Sequence, residues 1–144
     1  MSELDVLQDV LANEHAAVYV YGVLGARTSE SATPDIYAAL RAAHDAHRGR
    51  RDELTGQIAA DGATPVASAT AYEVPAGLET ADGVTTAGLE LERACAAVYA
   101  AAVASTTAER RIWAVEALND AAVRELGLRG TPEMFPGAGE YADR

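Results

Sequence analysis

Five side chains of the types that bind metal ions or move protons fall on predicted inward helix faces: Glu14, His44, His47, Glu92 and Glu116. His44 and His47 are three residues apart, so on a helix they share a face and can reach one point. Carboxylates combined with imidazoles suit zinc, or iron or manganese with coordination positions left open. A helical bundle can hold two metals with a glutamate from each of two helices and a Glu-x-x-His pair from each of the other two. The sequence falls short of that pattern. His44-x-x-His47 carries histidine where the glutamate belongs, and Glu116-x-x-Asn119 carries asparagine where the histidine belongs. With neither pair intact, a full two-metal centre is disfavoured. A mononuclear or degenerate dinuclear site of iron, manganese or zinc stays open as one reading.

A second reading comes from Arg51, one turn beyond His47 on the same predicted face. A guanidinium is always charged and competes with a metal cation for Glu14 and Glu92. Glu14, His47, Arg51 and Glu92 can then form a metal-free buried network in which each charge is paired and helix register is set. Arg51 tips the balance toward this network, and so toward a non-catalytic protein rather than an enzyme. The other chemically interesting residues carry less. Cys95 has no helix start or basic setting to activate it and reads as a small core residue. Tyr19, Tyr21 and Tyr99 read as core or interface side chains, and Trp113 as packing. The sequence contains no Gly-x-Ser-x-Gly elbow, and Gly137-Ala-Gly lacks the strand and helix of a phosphate loop.

Four helices must position these residues. The first is predicted over Glu3 to Leu24, with Ser2 as cap and Gly25 at its end. Its stripe is Leu4, Leu7, Leu11, Glu14, Val18 and Tyr21, with the glutamate inside an apolar row. The second runs from Pro34 to Ala60, opened by Thr33-Pro34-Asp35 and stopped by Asp61-Gly62. Its stripe reads Ile36, Leu40, His44, His47, Arg51, Leu54 and Ile58, apolar at both ends around a polar centre. Residues 62–83 hold Pro65, Pro75 and three glycines and read as an irregular connection. The third helix is predicted over 85–104 and carries Glu92. The fourth, over 107–126, opens with a Thr106 to Glu109 capping box. Its apolar set is Ile112, Trp113, Val115, Leu118, Ala122, Val123 and Leu126. Residues 127–144 read as an extended tail that Met134 and Phe135 could pin to the bundle. Short links join helices one to two and three to four, while the second must return along the bundle to reach the third. Two antiparallel hairpins joined by one long crossover make an all-α, ferritin-like four-helix bundle.

The bulk composition agrees with a single domain spanning 1–144. The formal net charge of −11 excludes nucleic acid and anionic lipid surfaces as partners. One cysteine excludes an intramolecular disulfide framework. The acidic start Met-Ser-Glu-Leu-Asp has no basic n-region, and the uncharged stretch 94–108 is too short to span a bilayer. These features predict a soluble, cytoplasmic protein with no membrane partner.

The run Glu14-His-Ala-Ala-Val-Tyr-Val-Tyr-Gly-Val-Leu-Gly resembles the opening of a ferritin-like family of unknown function found mainly in actinobacteria. His47-Arg-Gly-Arg-Arg-Asp-Glu-Leu, Leu91-Glu-Arg-Ala-Cys and the late Phe135-Pro-Gly match it as well. The resemblance covers nearly the whole chain. It implies the ferritin-like fold and a homodimer, and it implies no activity or substrate.

Overall fold

Local capping sets where the first helix begins. Ser2 Oγ accepts from the Asp5 amide at 3.2 Å, and the Asp5 carboxylate accepts from the Ser2 amide at 2.8 Å. This reciprocal box starts α1 (Glu3–Gly25) where the sequence predicts. Pro34 likewise opens α2 (Pro34–Ala60). The Thr33 hydroxyl, however, bonds to Ser29 in the preceding link rather than to the helix. The computed structural model describes residues 1–128, 132 and 134–138. Among these, two further helices follow, α3 (Ala81–Ser105) and α4 (Ala108–Gly127).

The start of α3 corrects the sequence reading, which assigned Gly83 to the connection. Gly83 lies in the first turn, where its amide donates to Oγ1 of the Thr80 cap at 3.0 Å. Glycine is required there because a Cβ would lie 1.8 Å from the Gly77 carbonyl oxygen. The predicted capping box of α4 also does not form. Thr106 Oγ1 donates to the Ala102 carbonyl at 2.7 Å, and Thr107, the actual cap, donates to Glu3 of α1 at 2.7 Å. The two threonines tie the link to neighbouring helices instead of closing their own.

The topology is the expected one: hairpins α1–α2 and α3–α4, joined by residues 61–80 without regular structure. α1 and α3 run antiparallel, since Glu14 meets Tyr99 while Tyr21 meets Glu92. The crossover lies along α1. Gln8 holds it by accepting from the Val66 amide and donating to the Thr64 carbonyl, each at 2.8 Å. His15 reaches the Val66 carbonyl at 3.0 Å, and the Tyr19 ring meets Tyr72 at 5.5 Å. The α2–α4 seam is bridged by polar side chains: Arg50 to Asp120 at 2.5 Å, Trp113 Nε1 to Glu53 at 2.9 Å, and Arg110 to Asp61.

Two apolar clusters form the core. One gathers Leu7, Leu11, Leu54, Ile58, Tyr99 and Ala117, and the other Val20, Leu24, Leu40, Val84 and Leu128. Between them lie Glu14, His47 and Glu92, all fully buried. α4 departs from expectation. Its core face is Ala114, Ala117 and Ala121, flanked by half-buried Trp113 and Leu118. Ile112, Val115, Val123 and Leu126 from its predicted apolar set are exposed. Met134 and Phe135 are exposed as well, and the tail approaches α3 through Gly137 beside Ala96 and Ala100. The remainder of the tail, residues 129–131, 133 and 139–144, lies outside the described residues.

Gly83→Ala is expected to destabilise the protein by about 1–3 kcal/mol, because backbone must move to admit the methyl group. Gly56→Ala meets nothing within 4 Å and should instead stabilise α2 by about 0.5–1 kcal/mol. Denaturant melts of the two variants beside the parent protein check both signs.

Candidate functional site

Helical periodicity carries three ionisable side chains to the middle of the bundle. Glu14 shares a buried face of α1 with Leu7, Leu11 and Tyr21; His47 falls on the α2 line of Leu40, Ala43, Leu54 and Ile58. Glu92 follows Gly88 and precedes Cys95 and Tyr99 on α3. His47 lies between the two carboxylates, Nδ1 at 2.7 Å from Glu14 Oε2 and Nε2 at 3.1 Å from Glu92 Oε1. Ionised carboxylates only accept hydrogen bonds, so beside two of them both ring nitrogens donate and the ring is held as an imidazolium, the form that the raised His47 pKa favours. Arg124 Nε of α4 donates to Glu92 Oε1 at 2.8 Å, Tyr21 donates to the same oxygen at 2.6 Å, and Tyr99 donates to Glu14 Oε1. The Tyr21 ring also stacks on the imidazole at 5.3 Å. Two carboxylates, one imidazolium and one guanidinium sum to zero charge, the condition under which burial of four ions is tolerable.

The electrostatics follow from that geometry. Burial pushes the His47 pKa down, but hydrogen bonds to Glu14 and Glu92 and their negative charges outweigh it and hold it above its ordinary value. For Glu92, burial raises the pKa, while the His47 hydrogen bond and the Arg124 charge more than offset it and hold it below the carboxylate norm. Burial first, then the adjacent carboxylates, push the Tyr21 and Tyr99 hydroxyls well up, so both remain protonated donors. Cys95 is buried and its thiol is pushed up by burial and by Glu92, which leaves it inert as the sequence suggests.

Of the residues singled out from sequence, Glu14, His47 and Glu92 converge and the others do not. Arg51 is a correction: it lies outside the core and pairs with Asp52 through two hydrogen bonds of 2.9 and 2.7 Å. A helix regains the same face every 3.6 residues, so the inward position after His47 falls between 50 and 51. The bundle takes Arg50. Its side chain is only 10% exposed, its guanidinium lies 5.5 Å from the Tyr99 ring centre, and Nη2 reaches Asp120. His44 is half-buried beside Asp45 at 3.6 Å, and Glu116 is exposed on α4. Sequence reasoning missed Arg124 and the roles of Tyr21 and Tyr99. The available signal for Arg124 was its place three residues after Ala121 on the alanine face of α4.

As arranged, these side chains do not fit a metal ion. The two carboxylates face opposite nitrogens of one ring rather than a common point, and a guanidinium takes the oxygen of Glu92 that an ion would need. Among the described residues, no group of three or more His, Cys, Asp or Glu side chains is placed to hold one. The charge distribution within the network is uneven. Glu92 Oε1 gathers three donors, whereas the buried Glu92 Oε2 and Arg124 Nη2 have no hydrogen-bond partner among the described residues.

Fold and core together define a four-helix bundle with a neutral ion network at mid-height. Residues 6–140 match the family described as Domain of unknown function (DUF4439), and the chain belongs to that family. No curated protein matches it. Among solved structures it is similar to a conserved hypothetical protein, rv2844, from Mycobacterium tuberculosis, at 29% identity and a TM-score of 0.80. That match covers 88% of this chain and 87% of the other. No described helix is long and apolar enough to cross a membrane.

Arg124→Met strands the buried charge of Glu92 and is expected to cost about 3–5 kcal/mol. Arg51→Met removes only a surface pair and should change stability by less than about 1 kcal/mol. Equilibrium unfolding in urea separates the two.

The network also predicts a bounded pH window. His47 has a folded pKa above its ordinary 6.5, so its contribution is full below 6.5 and fades as pH rises through the folded value. Glu92 has a folded pKa below its ordinary 4.5, so its contribution is full above 4.5 and fades as pH falls through the folded value. In His47→Gln, the alkaline decline of the urea midpoint should disappear.

Proposed function

We propose that this chain is a non-catalytic helical scaffold of the ferritin-like superfamily in which fixed side-chain cations occupy the place of metal. The superfamily reading rests on the single long crossover between two hairpins. The observation that carries the functional reading is His47 with both ring nitrogens committed to carboxylates, while Arg124 donates into Glu92. The two-metal pattern supplies a glutamate from each of two helices, and Glu14 and Glu92 stand in those roles on α1 and α3. The two Glu-x-x-His positions are His44-x-x-His47 on α2 and, by the placement of Arg124, Ala121-x-x-Arg124 on α4. Both lack the glutamate. Imidazolium and guanidinium supply the two positive charges that the carboxylates require. Imidazolium and guanidinium lack the open coordination position with which a metal ion activates water, and this supports the non-catalytic reading.

A metal-binding reading, with iron, manganese or zinc in metal handling or redox chemistry, is favoured by one feature only. Glu14, His47 and Glu92 share a depth in the bundle, and His47 touches both carboxylates. To bind, the ion would have to displace the His47 protons and the Arg124 contact together, at a cost set by two buried charges. Tag-free protein reconstituted with iron, manganese and zinc and then dialysed is expected to retain well below one equivalent of each by elemental analysis. One equivalent that is lost in both Glu14→Ala and His47→Ala would overturn the scaffold reading.

A further inference from the structure

The face of α4 turned away from the bundle is an apolar row interrupted at its centre by Asn119. Ala108, Ile112, Val115, Asn119, Ala122 and Leu126 recur at alternating spacings of four and three residues, the a and d positions of a heptad repeat. Ile112 is 60% exposed and Leu126 49%, and Val123 beside them is 67% exposed. The intramolecular packing of α4 uses another side, Ala114, Ala117, Ala121 and Glu125, with half-buried Leu118 at the edge between the two faces. A row with a period of 3.5 residues keeps facing a partner helix, whereas a face that only meets a globular core follows 3.6.

We propose that this face of α4 is the contact between two copies of the chain, paired in parallel about a twofold axis. Two features select a second copy over any other occupant. Asn119 lies at the central a position, and its amide carries both donors and an acceptor. The same amide from a twofold-related copy satisfies it, while an apolar partner leaves it desolvated and unpaired; a single a-position asparagine also sets register between two strands. The flanks agree. In a parallel pair, each g residue faces the e residue five positions further along the other helix. Arg111 of one copy then faces Glu116 of the other, and Leu118 faces Val123. Charge meets opposite charge, and apolar meets apolar. In an antiparallel pair each a residue meets a d residue, so Asn119 faces Val115 or Ala122 of the other copy and its amide loses the matching amide. This surface lies on the far side of α4 from the ion network, so the inference does not depend on what that network does.

Sedimentation equilibrium on the full chain in about 0.15 M salt tests it. The parent protein is expected to be a dimer, and Ile112→Asp with Leu126→Asp a monomer of unchanged helical circular dichroism. Arg111→Glu is expected to weaken association roughly tenfold, and adding Glu116→Arg to restore it. If the double aspartate variant loses its helical signal, the charge swap reads the interface alone. A monomeric parent protein at tens of micromolar, a dimer that survives both aspartates, or a charge swap without rescue overturns the proposal.

Discussion

An imidazolium held between two buried carboxylates is the constraint around which this bundle is arranged. His47 touches Glu14 on one side and Glu92 on the other, and each contact joins a different pair of helices. Arg124 brings in the fourth helix through Glu92. One layer of side chains therefore connects α1, α2, α3 and α4 at mid-height. Slipping any helix by a turn would separate a buried charge from its counter-ion, a far larger penalty than sliding one apolar side chain past another. The apolar clusters above and below supply burial without direction, whereas the ions supply register.

Charge bookkeeping explains which residues are present. Two glutamates in a dry core need two positive charges close by. Here His47 and Arg124 bring positive charge within hydrogen-bond distance of them. The tyrosines complete the arrangement. Tyr21 and Tyr99 are largely apolar bodies that each deliver one hydroxyl proton to a carboxylate. Arg50 adds a third buried cation near the layer, but it faces outward to Asp120 and lies over Tyr99, so it helps fasten α2 to α4 rather than neutralising the centre.

The small residues of α4 shape both of its sides. Alanines at 114, 117 and 121 form its buried face, and the larger apolar side chains are left on the outside. The helix is amphipathic in an unexpected sense: its narrow inner face is made of methyl groups, and its bulkier apolar row points to solvent. Arg124 fits among the alanines because its long stem can cross the shallow seam to reach Glu92.

Sequence alone determined the helices, the two hairpins and the long crossover, because caps, proline, glycine and apolar period are local signals. It also singled out Glu14, His47 and Glu92 as charged residues within apolar rows, but the same pattern singled out His44 and Arg51, which the bundle leaves outside the core. What it left to the tertiary structure were choices of partner and of side. Arg50 and Arg51 are adjacent, and which one points inward depends on where α2 docks, because 3.6 residues per turn falls between them. Arg124 lies near the end of α4, and only the docking of the alanine face brings it to Glu92 on α3. The threonines at 106 and 107 could cap their own helix or bond elsewhere, and the nearby Ala102 carbonyl and Glu3 decided it. Period and capping are written along the chain. The pairing of buried charges depends on residues as far apart as Glu14 and Tyr99, and only the packed bundle brings them together.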